Sequence, residues 1–134
     1  MPDPKRLKEA AEWLRYAAED LETAYLLADA TPPRLRQALF SAQQCAEKAL
    51  KAFLIYHDCT YPLTHNLTVL RDLCGERDPS VAIIAGPTLS LTEFAVRFRY
   101  PGVLPEELDA VDAREWLEAT KRVYDCILER IRPE

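Results

Sequence analysis

Between Ala38 and His57 the chain reads ALFSAQQCAEKALKAFLIYH, and Leu39, Ala42, Ala46, Ala49, Leu50 and Phe53 fall on one face of a helix turning 100° per residue. Gln44, Glu47, Lys48 and Lys51 gather on another face, with Phe40 and Ile55 at its edges. The pattern predicts a buried central helix with one solvated stripe. Upstream, Leu7, Ala10, Leu14, Ala17, Leu21, Ala24, Tyr25 and Ala28 keep the same three-and-four spacing, and Asp3 before Pro4 supplies an N-cap with proline at the first helical position. A long amphipathic helix from Pro4 to Ala30 is predicted. Thr31 with Pro32 and Pro33 then reads as a tight break and the cap of the central helix, which predicts an antiparallel hairpin.

After His57 the stretch DCTYPL, residues 58–63, loses its periodicity. Thr64 is the predicted N-cap of a short helix through His65, Leu67, Leu70 and Leu73, ending at Gly75. Asp78 and Pro79 open a fourth segment that breaks or kinks at Gly86-Pro87, restarts with Ser90 and Glu93 as a capping box, and is closed by Pro101. A linker covers residues 102–111. Asp112 and Glu115 then cap a last helix whose face is Trp116, Leu117, Thr120, Val123, Tyr124, Ile127, Leu128 and Ile131. No run alternates with period two as a half-buried strand would. The expected fold is all-α, an up-and-down bundle of four to five helices with two long antiparallel N-terminal helices, in one domain spanning residues 1–134.

Composition narrows the function classes. A chain of 134 residues can bury a core without metal or disulfide staples. Cys45, Cys59, Cys74 and Cys126 lack zinc-site or redox-pair spacing, and a reducing, cytoplasmic setting is expected. No window approaches the roughly 20 apolar residues of a membrane span, and MPDPKRLKEAAEWL has no apolar run of the signal-peptide kind. A net charge of -5 argues against a broad grip on duplex nucleic acid, so a nucleotide or RNA site has to be local. Three glycines offer no phosphate-cradling loop of either common type.

Three places could carry chemistry. The first is the stripe of Gln44, Glu47, Lys48 and Lys51: as a plain helix face it gives Glu47 and Lys51 as an exposed i,i+4 pair, and as a site its ammonium groups meet phosphate oxygens. The second is Arg97-Phe98-Arg99-Tyr100-Pro101, where arginines at a helix end complement the dipole or, at a core boundary, face a cleft or a partner. The third is His65, which either tightens a turn or enters a site. No cofactor or metal is expected: two histidines and four scattered cysteines give no zinc spacing, and no serine sits in a G-x-S-x-G turn.

Ala42-Gln43-Gln44-Cys45-Ala46-Glu47-Lys48-Ala49-Leu50-Lys51 resembles the AQQAAEKALK signature of bacterial HEPN domains, nucleotide-binding modules named for higher eukaryotes and prokaryotes. The W-L-x-x-A-x-x-D-L-x-x-A pattern from Trp13 to Ala24, T-H-x-L from Thr64 to Leu67 and R-Y-P from Arg99 to Pro101 are similar to it in the same order. The resemblance implies a small helical bundle that forms a homodimer or higher homo-oligomer. It also implies two branches: partners of a minimal nucleotidyltransferase in a two-component, toxin-antitoxin-like module, and metal-independent endoribonucleases. Ribonuclease members carry an arginine followed four to six residues later by a histidine. His57 and His65 have no arginine at that distance upstream, and Arg97 and Arg99 have no histidine downstream. A non-catalytic module is therefore expected, with Gln44, Glu47, Lys48, Lys51, His65, Arg97, Arg99 and Tyr100 binding a nucleotide, RNA or the partner. The alternatives are an endoribonuclease toxin and a purely structural dimerisation domain.

Overall fold

A computed structural model describes residues 3–93 and 110–131 of the chain. Helix α1 runs Pro4–Ala28, α2 Leu35–Tyr56, α3 Leu67–Arg77 and α4 Pro79–Ala85, followed by a 3-10 turn at Gly86–Thr88 and a helical restart at 91–93; α5 runs Ala110–Ile131. No strand occurs among the described residues. The fold is the all-α bundle that the periodicity predicts.

The Asp3 side chain accepts from the Arg6 amide at 2.9 Å, so α1 starts where the sequence places it. Its small residues Ala10, Ala17 and Ala24 are fully buried, as are Ala42, Ala46 and Ala49 of α2. Small side chains on both sides let the two backbones approach closely. The pairing is antiparallel: Asp20 meets Lys48, Trp13 meets Lys51 and Arg6 meets Asp58. Helix α5 closes the core over both with Ala113, Leu117, Val123 and Ile127.

Several predicted boundaries move. Thr31 does not cap α2, which begins at Leu35 after Arg34 with no side-chain cap; the Arg34 amide instead donates to Leu27 O at 2.8 Å, tightening the turn. Asn66 rather than Thr64 caps α3, accepting from the Thr68 amide, while Thr64 Oγ1 accepts from the Asn66 amide one step earlier. Gly75 does not end α3. It lies inside the helix because Ala82 of α4 packs against it, and a Cβ built there would stand 2.8 Å from the Ala82 Cβ. Asp112 and Glu115 sit within the first turns of α5, which starts at Ala110. The segment Arg97 to Pro101 and positions 102–109 of the expected linker lie outside the described residues.

The end of α2 sets up the site. The Cys59 amide donates to Leu54 O at 2.9 Å and the Asp58 amide to Ile55 O at 3.1 Å, with Asp58 at φ 57°. This is a Schellman-type stop, in which one left-handed residue reverses the chain. The 57–66 loop is thereby turned back along the α1–α2 seam. Helices α3 and α4 follow, fastened to α5 by Arg130, which donates to Asp78 Oδ2 at 2.9 Å and Ser80 Oγ at 2.8 Å.

Candidate functional site

Helix α2 is buried almost all round. Besides its predicted apolar face, Gln43, Glu47 and Lys51 are buried, with Glu47 only 3% and Lys51 only 6% exposed. The expected solvated stripe is thus corrected: its i,i+4 ion pair exists, with Lys51 Nζ 2.9 Å from Glu47 Oε2, but inside the protein. The physical reason is the 57–66 loop, which lies over the border of the apolar face and has no periodicity of its own to announce that it does so.

One carboxylate organises the cluster. Glu47 accepts from Lys51 Nζ, from Gln43 Nε2 at 3.2 Å and from His65, whose Nδ1 lies 3.0 Å from Oε1 and 3.1 Å from Oε2. Gln43 Nε2 also donates to His65 O at 3.0 Å, and Gln44 Nε2 donates to Gln43 Oε1 at 2.7 Å. Lys51 Nζ is boxed by the rings of Trp13 at 5.6 Å and Tyr61 at 5.9 Å, both within range of a cation–π attraction. A buried charge is tolerated when it is paired and hydrogen-bonded, and both charges here are. Among the described residues no buried side-chain nitrogen or oxygen lacks a partner.

Lys48 stands apart on α2, 2.7 Å from Asp20 Oδ2 and 5.9 Å from the Tyr16 ring. Two carboxylates therefore balance the two lysines. What the cluster presents to solvent is His65, whose side chain is 78% exposed. The Leu67 amide donates to Thr92 Oγ1 at 3.1 Å, which ties the start of α3 to the helical restart that precedes Arg97 in sequence. The structure thus brings Gln44, Glu47, Lys51 and His65 into one network and leaves Lys48 in a separate pair; Arg97, Arg99 and Tyr100 lie outside the described residues.

Sequence reasoning missed Gln43, Trp13, Tyr61 and Asp20. Gln43, Glu47 and Lys51 do form an i, i+4, i+8 ladder, a readable signal that the three side chains share a line on the helix. Trp13, Tyr61 and Asp20 reach the site only through tertiary packing.

Other chemistries find less support among the described residues. Burial pushes the Cys45 and Cys74 thiols well above the usual range, and that of Cys126 upward too, which disfavours thiolate chemistry. No three or more His, Cys, Asp and Glu converge to hold a metal ion. A groove of about 570 Å³ on α5 is lined by Pro87, Asp112, Glu115, Trp116, Glu118, Ala119 and Arg122. Three carboxylates against one guanidinium make it a poor seat for an anion. No helix among the described residues is long and apolar enough to cross a membrane.

Comparison with known proteins agrees with this architecture. Residues 10–131 match the family described as HEPN domain. Among solved structures, the crystal structure of an archaeal HEPN homologue superposes with a TM-score of 0.70 at 24% identity, covering 92% of this chain and 98% of that one. Comparison with curated protein sequences gives no match. At that identity the archaeal structure speaks for the fold, but the family match extends over nearly the whole chain, and the chain belongs to the HEPN domain family.

Proposed function

We propose that this chain is a single-domain, non-catalytic HEPN module that acts in the cytoplasm as a homodimer, binding a nucleotide or a minimal nucleotidyltransferase partner in a two-component, toxin-antitoxin-like system. The observation that carries this reading is the Glu47 network: a buried carboxylate on α2 saturated by Gln43, Lys51 and His65, with only the imidazole reaching solvent. Such a network fixes a binding surface. It does not supply the arginine and histidine that ribonuclease members of the family place four to six residues apart, since neither histidine here has an arginine at that distance upstream.

The arrangement also changes how a ligand would be held. Lys48 and Lys51, each beside a carboxylate, are poor isolated phosphate clamps. We assign phosphate charge instead to Arg97 and Arg99, with Tyr100 next in sequence, and the sugar or base to His65. Co-purification of the tagged protein from its native cell, with mass spectrometry of bound proteins and released small molecules, tests the reading. Recovery of a nucleotidyltransferase or a nucleotide is the expected result. RNA cleavage by the pure protein that disappears in Arg97→Ala overturns the non-catalytic assignment, and recovery of the homo-oligomer alone, with no nucleotide bound in titration, leaves a structural dimerisation domain.

A further inference from the structure

The Glu47–His65 pair has a direction built into it. An ionised carboxylate only accepts hydrogen bonds, so the imidazole nitrogen facing both Glu47 oxygens, Nδ1, has to carry its hydrogen. In the neutral ring the other nitrogen, Nε2, is then a bare acceptor. Glu47 is held in place by Lys51 and Gln43, and Gln43 also grips the His65 carbonyl, so both ends of the residue are fixed from α2. Yet the side chain is 78% exposed. A polar group oriented by a buried network and left open to solvent is arranged to meet something from outside.

We infer that His65 is a hydroxyl-recognising residue: Glu47 fixes its Nδ1–H form so that Nε2 accepts a hydrogen bond from a sugar hydroxyl of the bound nucleotide. This rests on the nucleotide reading above and sharpens it. Lys51 favours a sugar over a phosphate at this point, because its ammonium is already beside the Glu47 carboxylate at 2.9 Å. A phosphate oxygen would also find no donor at a bare Nε2, whereas a hydroxyl donates to it directly. Glu47 is a positioning residue in this scheme, and His65 is the contact.

The test uses the full chain with ¹⁵N-labelled histidine. Long-range proton–nitrogen correlation at pH 8 is expected to show His65 with a protonated Nδ1 and a bare Nε2, the reverse of the form that free histidine prefers. Titration with AMP, CMP, GMP and UMP is expected to move the Nε2 resonance. The 2′,3′-dideoxy analogue of whichever monophosphate binds best should bind about two- to tenfold more weakly, the value of one hydrogen bond. His65→Asn keeps an amide donor at the Nδ1 position but has nothing at Nε2, and is expected to abolish that preference while the protein stays folded. An Nε2–H tautomer overturns the proposal, as does equal affinity for the ribose and dideoxy forms. In those cases nucleotide binding itself still stands. If no monophosphate shifts any resonance, the nucleotide reading fails and this proposal fails with it.

Discussion

Two places fasten short elements to the long helices, and they do so by different physics. At the α1–α2 seam the 57–66 loop is held by His65 and Tyr61 against a buried ion pair of α2, with Glu47 at 3% and Lys51 at 6% exposure. At the far side, α3 and α4 meet where the Ala82 Cβ packs against Gly75, and the Arg130–Asp78–Ser80 clamp ties them to α5 through charged side chains about a third exposed, at 29% and 34%. Water screens the second set of charges and not the first. A buried pair is expensive to break on one side because the surviving charge stays behind, whereas an exposed pair loses little. The comparison predicts that charge governs stability at the seam and shape governs it at the α3–α4 contact.

The largest effect should come from Glu47→Ala, which strands the Lys51 ammonium between Trp13 and Tyr61, leaves the His65 imidazole without its acceptor and leaves Gln43 Nε2 only the His65 carbonyl. A loss of about 3–5 kcal/mol is expected in urea denaturation followed by circular dichroism. Replacing both partners, Glu47→Leu with Lys51→Met, removes the stranded charge and should recover most of it. A double variant as unstable as the single one would show that the side-chain shapes, and not the charges, hold the seam.

Gly75→Ala comes next. In an ordinary helix interior the change is stabilising by up to about 1 kcal/mol, but here the new methyl meets the Ala82 Cβ at 2.8 Å, and α4 would have to shift. A net loss of about 1–3 kcal/mol is expected. Adding Ala82→Gly should restore space and recover part of it; a stabilised Gly75→Ala would show that the α3–α4 contact is loose. Smaller again is Arg130→Ala, which removes bonds to Asp78 and Ser80 at a half-buried site. About 1 kcal/mol is expected, falling further in 1 M salt, while the Glu47 effect should hardly respond to salt.

How much of this was readable beforehand divides along the same line. The long helices were legible because their apolar spacing runs over many turns, and Asp3-Pro4 and Asp78-Pro79 mark the starts of α1 and of the short α4 by local chemistry that the structure repeats. Gly75 misled because a glycine that ends a helix and one that admits a neighbouring helix look alike in sequence, and only Ala82 distinguishes them. The site was half legible. Glu47, Lys51 and His65 stood out by type and spacing, but their burial comes from an aperiodic loop, and Trp13 and Tyr61 enter from distant positions. Arg97, Arg99 and Tyr100, the other residues proposed to bind, lie outside the described residues.

The smallest effect sharpens the contrast between a buried charge and a group kept neutral. His57, at the C-cap of α2, packs against the Phe53 and Tyr56 rings at 4.5 and 5.0 Å. Burial, with the Arg77 guanidinium adding to it and Asp78 opposing, lowers its pKa below the ordinary 6.5. The folded chain thus takes up this proton less readily than the unfolded chain. The contribution to stability is complete above about pH 6.5, declines as pH falls through that value, and levels off once pH is below the folded pKa. Because the imidazole is only partly buried, the decline should be modest. Denaturation measured from pH 7.5 down to pH 5 should show it in the native sequence and lose it in His57→Gln; an unchanged slope would assign the proton uptake to another group.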